Sequence, residues 1–214
     1  LYQWKAMLAA PRVGPIALDT SRGHDRPPMP ERWQRGWHIP TQAAVLFRFG
    51  TSEAAATYSA NAAVWRRVLV PSVARIVASG SDAAQRPYLA VEVPGVPLPR
   101  CLGQGARPSE VVRRRWLIAM VALFNALGQQ GFMLPDASLY RYNVDGEGHL
   151  WLIDLWQLAV TEPSLALTTH ANYARDICTR VLAMDVAAAP EPRNGDSPPV
   201  ETELQRIVAF LEQG

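Results

Sequence analysis

The stretch that decides the fold is LGQQGFMLPDASLYRYNVDGEGHLWLID, which runs from Leu127 to Asp154. It begins as the end of an apolar helix and turns at Gly131. A short polar loop around Asp136 follows, and a hairpin then returns as an apolar strand that ends at Asp154. We therefore expect the carboxylates of Asp136 and Asp154 at neighbouring turns of one rigid platform, an arrangement that can hold a metal–phosphate group.

The spacing of this stretch resembles the catalytic core of the protein-kinase-like superfamily. In that family a helix ends in a Leu-x-x-x-Gly turn, a catalytic-loop Asp follows, and a hairpin leads to the Asp of the Asp-Phe-Gly motif. Leu127, Gly131, Asp136 and Asp154 fall in these places without a gap. The segment GHLWLIDL is most similar to bacterial small-molecule and lipopolysaccharide-core (Kdo) kinases. The alternative is an ordinary buried hairpin with two solvated acids.

The resemblance implies an α+β, two-lobed protein-kinase-like fold with a small β-rich N-lobe and a mainly helical C-lobe. Six prolines in residues 1–42 predict an irregular segment that is also rich in Trp. We place the N-lobe at residues 43–93 and the C-lobe at residues 94–214. A helix predicted near Asn172 to Met184 follows Asp154 closely, which implies a short activation segment without room for a peptide substrate.

The resemblance assigns chemical roles to the two carboxylates. Phosphoryl transfer depends mainly on positioning and charge neutralisation. Asp136 would be the catalytic residue that orients the acceptor hydroxyl, and Asp154 would be a metal ligand for Mg²⁺. Five residues after Asp136, where the family has an Asn that completes the metal site, this chain has Arg141. A guanidinium is always charged and has no acceptor, so Arg141 would repel Mg²⁺ and could pair with Asp154 or Asp136 instead.

A second alignment register is also open. If Asn143 is the metal-site Asn, Ser138 takes the catalytic position and Leu139 follows it, as the family often has. The hairpin is then two residues short. One member of the Asp/Asn pair is lost in either register, and we prefer the one without a gap.

The corresponding N-lobe positions are changed as well. The strand Ala43 to Phe49 resembles the one that carries the family's phosphate-binding Lys, but the matching residue is Arg48. A helix predicted from about Glu53 to Val68, with Ser52 as its N-cap, has its only acid in the first turn. The Lys–Glu pair of the family is therefore missing, and no G-x-G-x-x-G motif is present.

The segment Glu92-Val93-Pro94 resembles the inter-lobe hinge, where backbone groups just after the Glu bind adenine. The resemblance therefore makes Glu92 and Val93 nucleotide-binding candidates, together with Arg48 and Arg141. Proline has no N–H, so Pro94 would remove one adenine donor. A proline-rich surface loop is the alternative. From these changes we expect binding of ATP and Mg²⁺ to be weak or absent.

Composition excludes several classes of function. The net charge is only +2, from 21 basic and 19 acidic residues. A nucleic-acid-binding protein usually has a larger excess of basic residues, so this class is not indicated. No apolar run is long enough to span a membrane. Cys101 and Cys178 form neither a disulfide framework nor a zinc pattern, so a reducing cytoplasm is the expected location. We expect His149 to be a solvated turn residue, and by the same resemblance Asp176 would anchor the catalytic loop.

These observations predict a degenerate kinase-like protein, a pseudokinase acting as a binding or regulatory module. An atypical ATP-dependent phosphotransferase is the first alternative. It would act on a sugar of the lipopolysaccharide core or on another small-molecule hydroxyl, with Arg48 and Arg141 as phosphate clamps. The second alternative is an interaction domain that docks on a protein partner through residues 1–42, which contain Trp4, Trp33 and Trp37.

Overall fold

A computed structural model describes residues 10–19, 32–103, 108–182 and 200–213, with the side chains of residues 200–202 left out. The described chain forms two compact units. The first takes the described residues up to Arg67 together with Ala74–Val93, and the second takes Val68–Val73 and the described residues from Pro94 onwards.

The first unit is built on an antiparallel sheet, which has six strands among the described residues. Their order across the sheet is β1 (Arg12–Val13), β2 (Ile16–Leu18), β3 (Gln34–His38), β4 (Ala43–Phe49), β6 (Pro87–Glu92) and β5 (Ile76–Ser81). Alternate side chains of a strand point to one face, so Val45, Phe47 and Phe49 of β4 share a core with β1 and β2. Helix α1 (Ala55–Arg66) buries Tyr58, Ala62 and Trp65.

The prediction that residues 1–42 are irregular is wrong for the described part of that segment, because β1, β2 and β3 lie within it. Prolines do not prevent these strands, since they fall between or beside them. Pro15 follows Gly14 in a two-residue hairpin turn that pairs Val13 with Ile16. Gly14 has a φ of +53°, which suits the first position of such a turn. Short strands between prolines carry too little periodicity to be recognised alone.

The docking prediction for residues 1–42 concerns Trp4, Trp33 and Trp37. The ring of Trp33 packs edge-on against Trp65 at a centroid distance of 6.2 Å. Trp4 lies outside the described residues. Docking of this segment on a partner remains a prediction.

Helix α1 begins slightly later than predicted. A short 3₁₀ helix, Ser52–Ala54, precedes it, and Thr51 rather than Ser52 is the residue before that turn. Glu53 is exposed in this 3₁₀ helix, and hydrogen bonding from Thr51 lowers the pKa of its carboxyl. The α-helical part then runs from Ala55 to Arg66.

The second unit is mainly helical. Its described helices are α2 (Leu98–Gly103), α3 (Glu110–Gln129), α4 (Pro163–Leu182) and α5 (Val200–Glu212). One small sheet has the strand order β10 (Leu150–Leu152), β9 (Tyr142–Val144) and β7 (Val96–Pro97). A second pairs β11 (Ala159–Val160) with β8 (Phe132–Met133). The predicted α+β class is confirmed.

Helix α3 is the core helix that its periodicity predicts. The Ser109 hydroxyl caps it by accepting a hydrogen bond from the backbone N–H of Val112 at 3.4 Å. Its buried residues include Trp116, Leu117, Met120, Phe124 and Leu127. No helix in the described ranges combines the length and the apolar character needed to cross a membrane.

Helix α4 starts well before the predicted Asn172, at Pro163. Proline is compatible with the first turn of a helix, where its missing N–H has no partner to lose and its fixed φ is helical. Only residues 155–162 therefore separate Asp154 from α4. The short connection that the sequence predicts is present, and it is even shorter than expected.

Candidate functional site

The turn that leads into the site requires glycine at position 131. Gly131 has a φ of +72°, and a Cβ there would lie 2.6 Å from the carbonyl oxygen of Thr161. Its own carbonyl accepts a hydrogen bond from the N–H of Thr161 at 2.9 Å. A side chain would therefore break the contact between the end of α3 and the segment before α4.

The loop after β8 is held by helix α4 through His170. The Nε2 atom of His170 accepts a hydrogen bond from the backbone N–H of Leu134 at 3.1 Å, so this nitrogen carries no proton. The Nδ1 atom is then the protonated one, and it donates to the carbonyl oxygen of Phe124 at 2.9 Å. Burial lowers the pKa of His170 to about 4, which keeps the ring neutral.

The role predicted for Asp176 is wrong in its direct form. Asp176 is exposed, and its carboxylate forms an i,i+4 ion pair with Arg180 at 2.6 Å. It is Arg180 that reaches the loop, donating from Nη2 to the carbonyl oxygen of Ala137 at 3.0 Å. His170, two helical turns earlier, is the fully buried anchor. Sequence reasoning missed it because the donor that it accepts from lies 36 residues away along the chain.

The loop folds Arg141 back onto Asp136. The Oδ1 atom of Asp136 accepts from the backbone N–H of Ser138 at 2.9 Å, which forms a tight turn. A short 3₁₀ helix, Leu139–Arg141, follows, with Ser138 capping the N–H of Tyr140 at 3.3 Å. The guanidinium of Arg141 then donates from Nε to Oδ1 at 2.9 Å and from Nη2 to Oδ2 at 2.8 Å. This is a bidentate, charge-assisted pair.

The same guanidinium also contacts Asp154. Its Nη1 atom lies 3.3 Å from Oδ2 of Asp154 and donates to the backbone carbonyl of that residue at 3.1 Å. The other carboxylate oxygen, Oδ1, accepts from the N–H of Trp156 at 2.8 Å. The sheet fixes this proximity, because the N–H of Ile153 donates to the carbonyl of Arg141 at 2.8 Å. Arg141 therefore contacts both carboxylates. The sequence predicts that it pairs with Asp154 or with Asp136.

The charges of the three groups explain why the cluster is stable. The side chain of Arg141 is only 9% exposed, whereas Asp136 is 52% and Asp154 is 20% exposed. Hydrogen bonding from Arg141 lowers the pKa of the Asp136 carboxyl below its ordinary value. Burial lowers the pKa of Arg141, but the hydrogen bond to Asp136 and the charge of Asp154 outweigh it, and the net pKa is raised. Counted with the formal charges of Asp and Arg at neutral pH, the three side chains sum to one negative charge.

Asn143 is the residue that the second register would assign to the metal. It lies in the middle of β9, 1% exposed, and its Nδ2 donates to the carbonyl of Pro94 at 2.8 Å. The register without a gap is the one in which the structure brings Asp136, Arg141 and Asp154 together. Within the described ranges, no group of three or more His, Cys, Asp and Glu side chains converges as a metal site.

The hairpin that leads to Asp154 is organised by Asp145. Its Oδ1 atom accepts from the N–H groups of Glu147 and His149, both at 2.9 Å, and its Oδ2 atom accepts from Trp151 Nε1 at 2.9 Å. The hydrogen bond from Trp151 contributes most to lowering the pKa of Asp145 to about 2. His149 is 65% exposed at this turn, as predicted.

The other predicted binding residues lie in the first unit. Arg48 is half-buried on β4 opposite Leu89, on the face away from Phe47 and Phe49. Glu92 ends β6, and its Oε1 accepts from the backbone N–H of Arg75 at 2.9 Å. Val93 follows as the last residue of the unit. Nucleotide contacts by Arg48, Glu92 and Val93 remain predictions.

Comparison with solved structures identifies the fold. The crystal structure of the yeast RNA Pol II CTD kinase CTDK-1 complex matches 63% of this chain, with a TM-score of 0.54 and 13% sequence identity. The chain has a protein-kinase-like fold. The match spans 45% of the yeast chain, and at this identity the likeness concerns the fold alone. No protein-family model matches the sequence, and no curated protein does.

The register without a gap agrees with the order of the elements in the structure. Asp136 follows the turn after a core helix, and Asp154 follows the hairpin, in the order that the resemblance implied. The structure places Arg141 between these two carboxylates. Their catalytic and metal-binding roles remain predictions.

Proposed function

We propose that this protein is a degenerate kinase-like protein, a pseudokinase that serves as a binding or regulatory module. The observation that carries the proposal is the guanidinium of Arg141, which is bonded to Asp136 and lies 3.3 Å from the carboxylate of Asp154. In a phosphotransferase of this fold, those carboxylates would have to serve the acceptor hydroxyl and Mg²⁺.

Binding of Mg²⁺ would compete with the guanidinium for the carboxylates. Each Asp136 oxygen already accepts from Arg141, and Oδ1 of Asp154 accepts from Trp156. The net charge of the three side chains is one negative charge, half that of the two carboxylates alone, which weakens the attraction for a divalent cation. Separating the guanidinium from the half-exposed Asp136 and from Asp154 costs about 2 kcal/mol. We therefore infer weak binding of ATP–Mg²⁺ or none.

An atypical phosphotransferase for a sugar or another small-molecule hydroxyl is the second candidate. The observation in its favour is that Asp136 is half exposed, so that one face of a predicted catalytic carboxylate is open to solvent. In that case Arg141 would swing from the carboxylates to the phosphates of the nucleotide, as a phosphate clamp. The two candidates therefore differ in where the guanidinium lies when nucleotide is present.

A thermal-shift experiment separates the two candidates. The melting temperature is measured for the wild type and for Asp154→Ala with ATP, in the presence and absence of Mg²⁺. The pseudokinase proposal expects no Mg²⁺-dependent increase in the wild type. A Mg²⁺-dependent increase that disappears in Asp154→Ala would favour the phosphotransferase.

We also propose a reducing compartment, the cytoplasm, as the location. Both cysteines lie in the described residues, and neither forms a disulfide there. Burial raises the pKa of the Cys178 thiol to about 11, so this side chain is an unreactive core residue. Alkylation of the unreduced protein in denaturant, which exposes Cys178, should recover two free thiols, and a disulfide-linked dimer through Cys101 would argue against this location.

A further inference from the structure

A cavity in the first unit is lined by none of the residues of the proposed site. It has a volume of about 330 Å³, which is at the lower end of the range of about 300–1,000 Å³ for small-molecule sites. One wall is the face of helix α1 that carries Ala55, Tyr58, Ser59, Ala62 and Arg66. The opposite wall is the end of β5 with the start of β6. None of the sequence predictions concerns this space.

Small residues keep the cavity open. The wall on α1 has alanine at 55 and 62, and β5 contributes Ser79, Gly80 and Ser81. Ser79 and Ser81 are two residues apart on a strand, so their side chains share a face. The hydrogen bond between Ser79 and Arg66 shows that this face is turned to α1. Tyr58 and Ala62, each 3% exposed, close the inner end.

The polar groups that line the cavity are donors. The Nη2 atom of Arg66 donates to Oγ of Ser79 at 2.6 Å. Because Ser79 accepts in this bond, its own hydroxyl proton remains free to donate elsewhere. Ser59 and Ser81 add two more hydroxyls to the lining. The cavity therefore offers a guanidinium fork beside several O–H donors.

The positive charge of Arg66 is not neutralised locally. Among the described residues no carboxylate forms an ion pair with Arg66, which has the Ser79 hydroxyl as its hydrogen-bond partner. The acid next to the cavity, Asp82, is committed elsewhere, since its carboxylate binds the guanidinium and backbone N–H of Arg86. An anion in the cavity would therefore meet one uncompensated cation.

We propose that this cavity binds a small organic phosphate, with its phosphate on Arg66 and the serine hydroxyls. A phosphate monoester presents three acceptor oxygens, which match a guanidinium and flanking hydroxyls better than the two oxygens of a carboxylate do. The organic part then occupies the inner end against Tyr58 and Ala62. A ligand of this size on one half-open arginine site binds with a dissociation constant on the order of 1 mM.

The experiment is isothermal titration of the full chain with glycerol 3-phosphate, with glycerol as the uncharged comparison. Arg66→Ala removes the charge at an exposed helix end, and Ser59→Leu fills the cavity from an exposed position. Each should weaken binding of glycerol 3-phosphate at least about tenfold. Arg67→Ala makes the same charge change at the exposed residue after α1, and Ala63→Leu introduces leucine at an exposed α1 position; both lie outside the lining and should bind as the wild type does.

The result expected is binding of glycerol 3-phosphate but not of glycerol, lost in both cavity variants and kept in both controls. This inference does not depend on the proposed function, because none of the residues that line the cavity belongs to that site. The proposal is overturned if the wild type shows no binding at concentrations about tenfold above the expected constant. Equal binding by Arg66→Ala and the wild type would overturn it too.

Discussion

Arg141 donates two parallel hydrogen bonds to Asp136, from Nε to Oδ1 at 2.9 Å and from Nη2 to Oδ2 at 2.8 Å. The third guanidinium nitrogen, Nη1, lies 3.3 Å from the carboxylate of Asp154. One side chain thus occupies the space between the two carboxylates that the kinase resemblance assigns to catalysis and metal binding. This cation should therefore affect both metal binding and stability.

Replacing Arg141 by Asn should create a Mg²⁺ response. The substitution restores the residue type of the family, removes the cation and leaves two carboxylates beside a neutral acceptor. We expect the melting temperature of Arg141→Asn to rise with Mg²⁺ and ATP, while that of the wild type does not. Arg114→Asn is the matched control, since Arg114 is also buried and forms an ion pair, with Glu110, away from the site. Equal responses to Mg²⁺ in all three proteins would refute the prediction that Arg141 prevents Mg²⁺ binding.

Arg141→Ala should destabilise the protein. Removing the guanidinium leaves Asp136 and Asp154 without their shared cation, and the expected loss in the free energy of unfolding is about 2 kcal/mol, because water partly solvates the half-exposed Asp136. Arg115→Ala, at an exposed position of α3, should lose no more than about 0.5 kcal/mol. Urea unfolding measures both, and a loss at Arg141 as small as that at Arg115 would show that the pairing contributes little.

The pH dependence of that loss has a definite sign. The folded-state pKa of Asp136 lies below its ordinary value of 3.8, so its stabilising contribution is full above this value and disappears as the pH falls further. The difference between wild type and Arg141→Ala should therefore be constant near neutral pH and shrink on acidification. A difference that grows as the pH falls would contradict the ion pair.

His170 should make the protein sensitive to mild acid. Its pKa is lowered from 6.5 to about 4, so the unfolded chain takes up the proton first and stability falls as the pH drops below 6.5. Between pH 7 and pH 5 the wild type should lose about 2 kcal/mol from this group. His170→Gln keeps an acceptor near the N–H of Leu134 but cannot titrate, so its unfolding free energy should lack this part of the pH dependence. Parallel curves for the two proteins would contradict the assignment.

Asp145→Asn should loosen the hairpin before Asp154. The charged carboxylate accepts three hydrogen bonds in that turn, and the amide accepts them more weakly. We expect faster hydrogen exchange of the Glu147 and His149 amides and a shifted Trp151 indole N–H resonance. The exposed Asp176→Asn variant is the control. Because the pKa of Asp145 is about 2, the wild-type pattern should persist in acid until the pH approaches that value. Unchanged exchange in Asp145→Asn would exclude the carboxylate as the organiser of the turn.

The central stretch could be predicted from sequence because its contacts are local or set by one hairpin. The turn at Gly131, the hairpin at Asp145 and the pairing of Arg141 with Asp136 all depend on residues close along the chain. The same applies to helix α3, whose broad apolar face and Ser109 cap are visible in the sequence. Interactions between residues close along the chain were therefore sufficient to predict this part of the fold and the pairing of Arg141 in the site.

The errors come from features that only distant contacts decide. Strands β1 to β3 contain few residues each and become strands through pairing with one another and with β4. The early start of α4 was not predicted because a proline usually indicates a helix end. Pro163 is compatible with the helix only because it lies in the first turn. The family resemblance led to the prediction that Asp176 anchors the loop. The role of His170 is visible only in its contacts with Leu134 and Phe124, which are distant along the chain.

A crystal structure of the wild type grown with ATP and Mg²⁺ would show directly whether Arg141 keeps the metal ion out. We expect the Arg141 guanidinium still to lie between Asp136 and Asp154, and Asp154 to hold no metal ion. A Mg²⁺ ion ligated by Asp154 and the phosphates, with Arg141 turned away from both carboxylates, would contradict it.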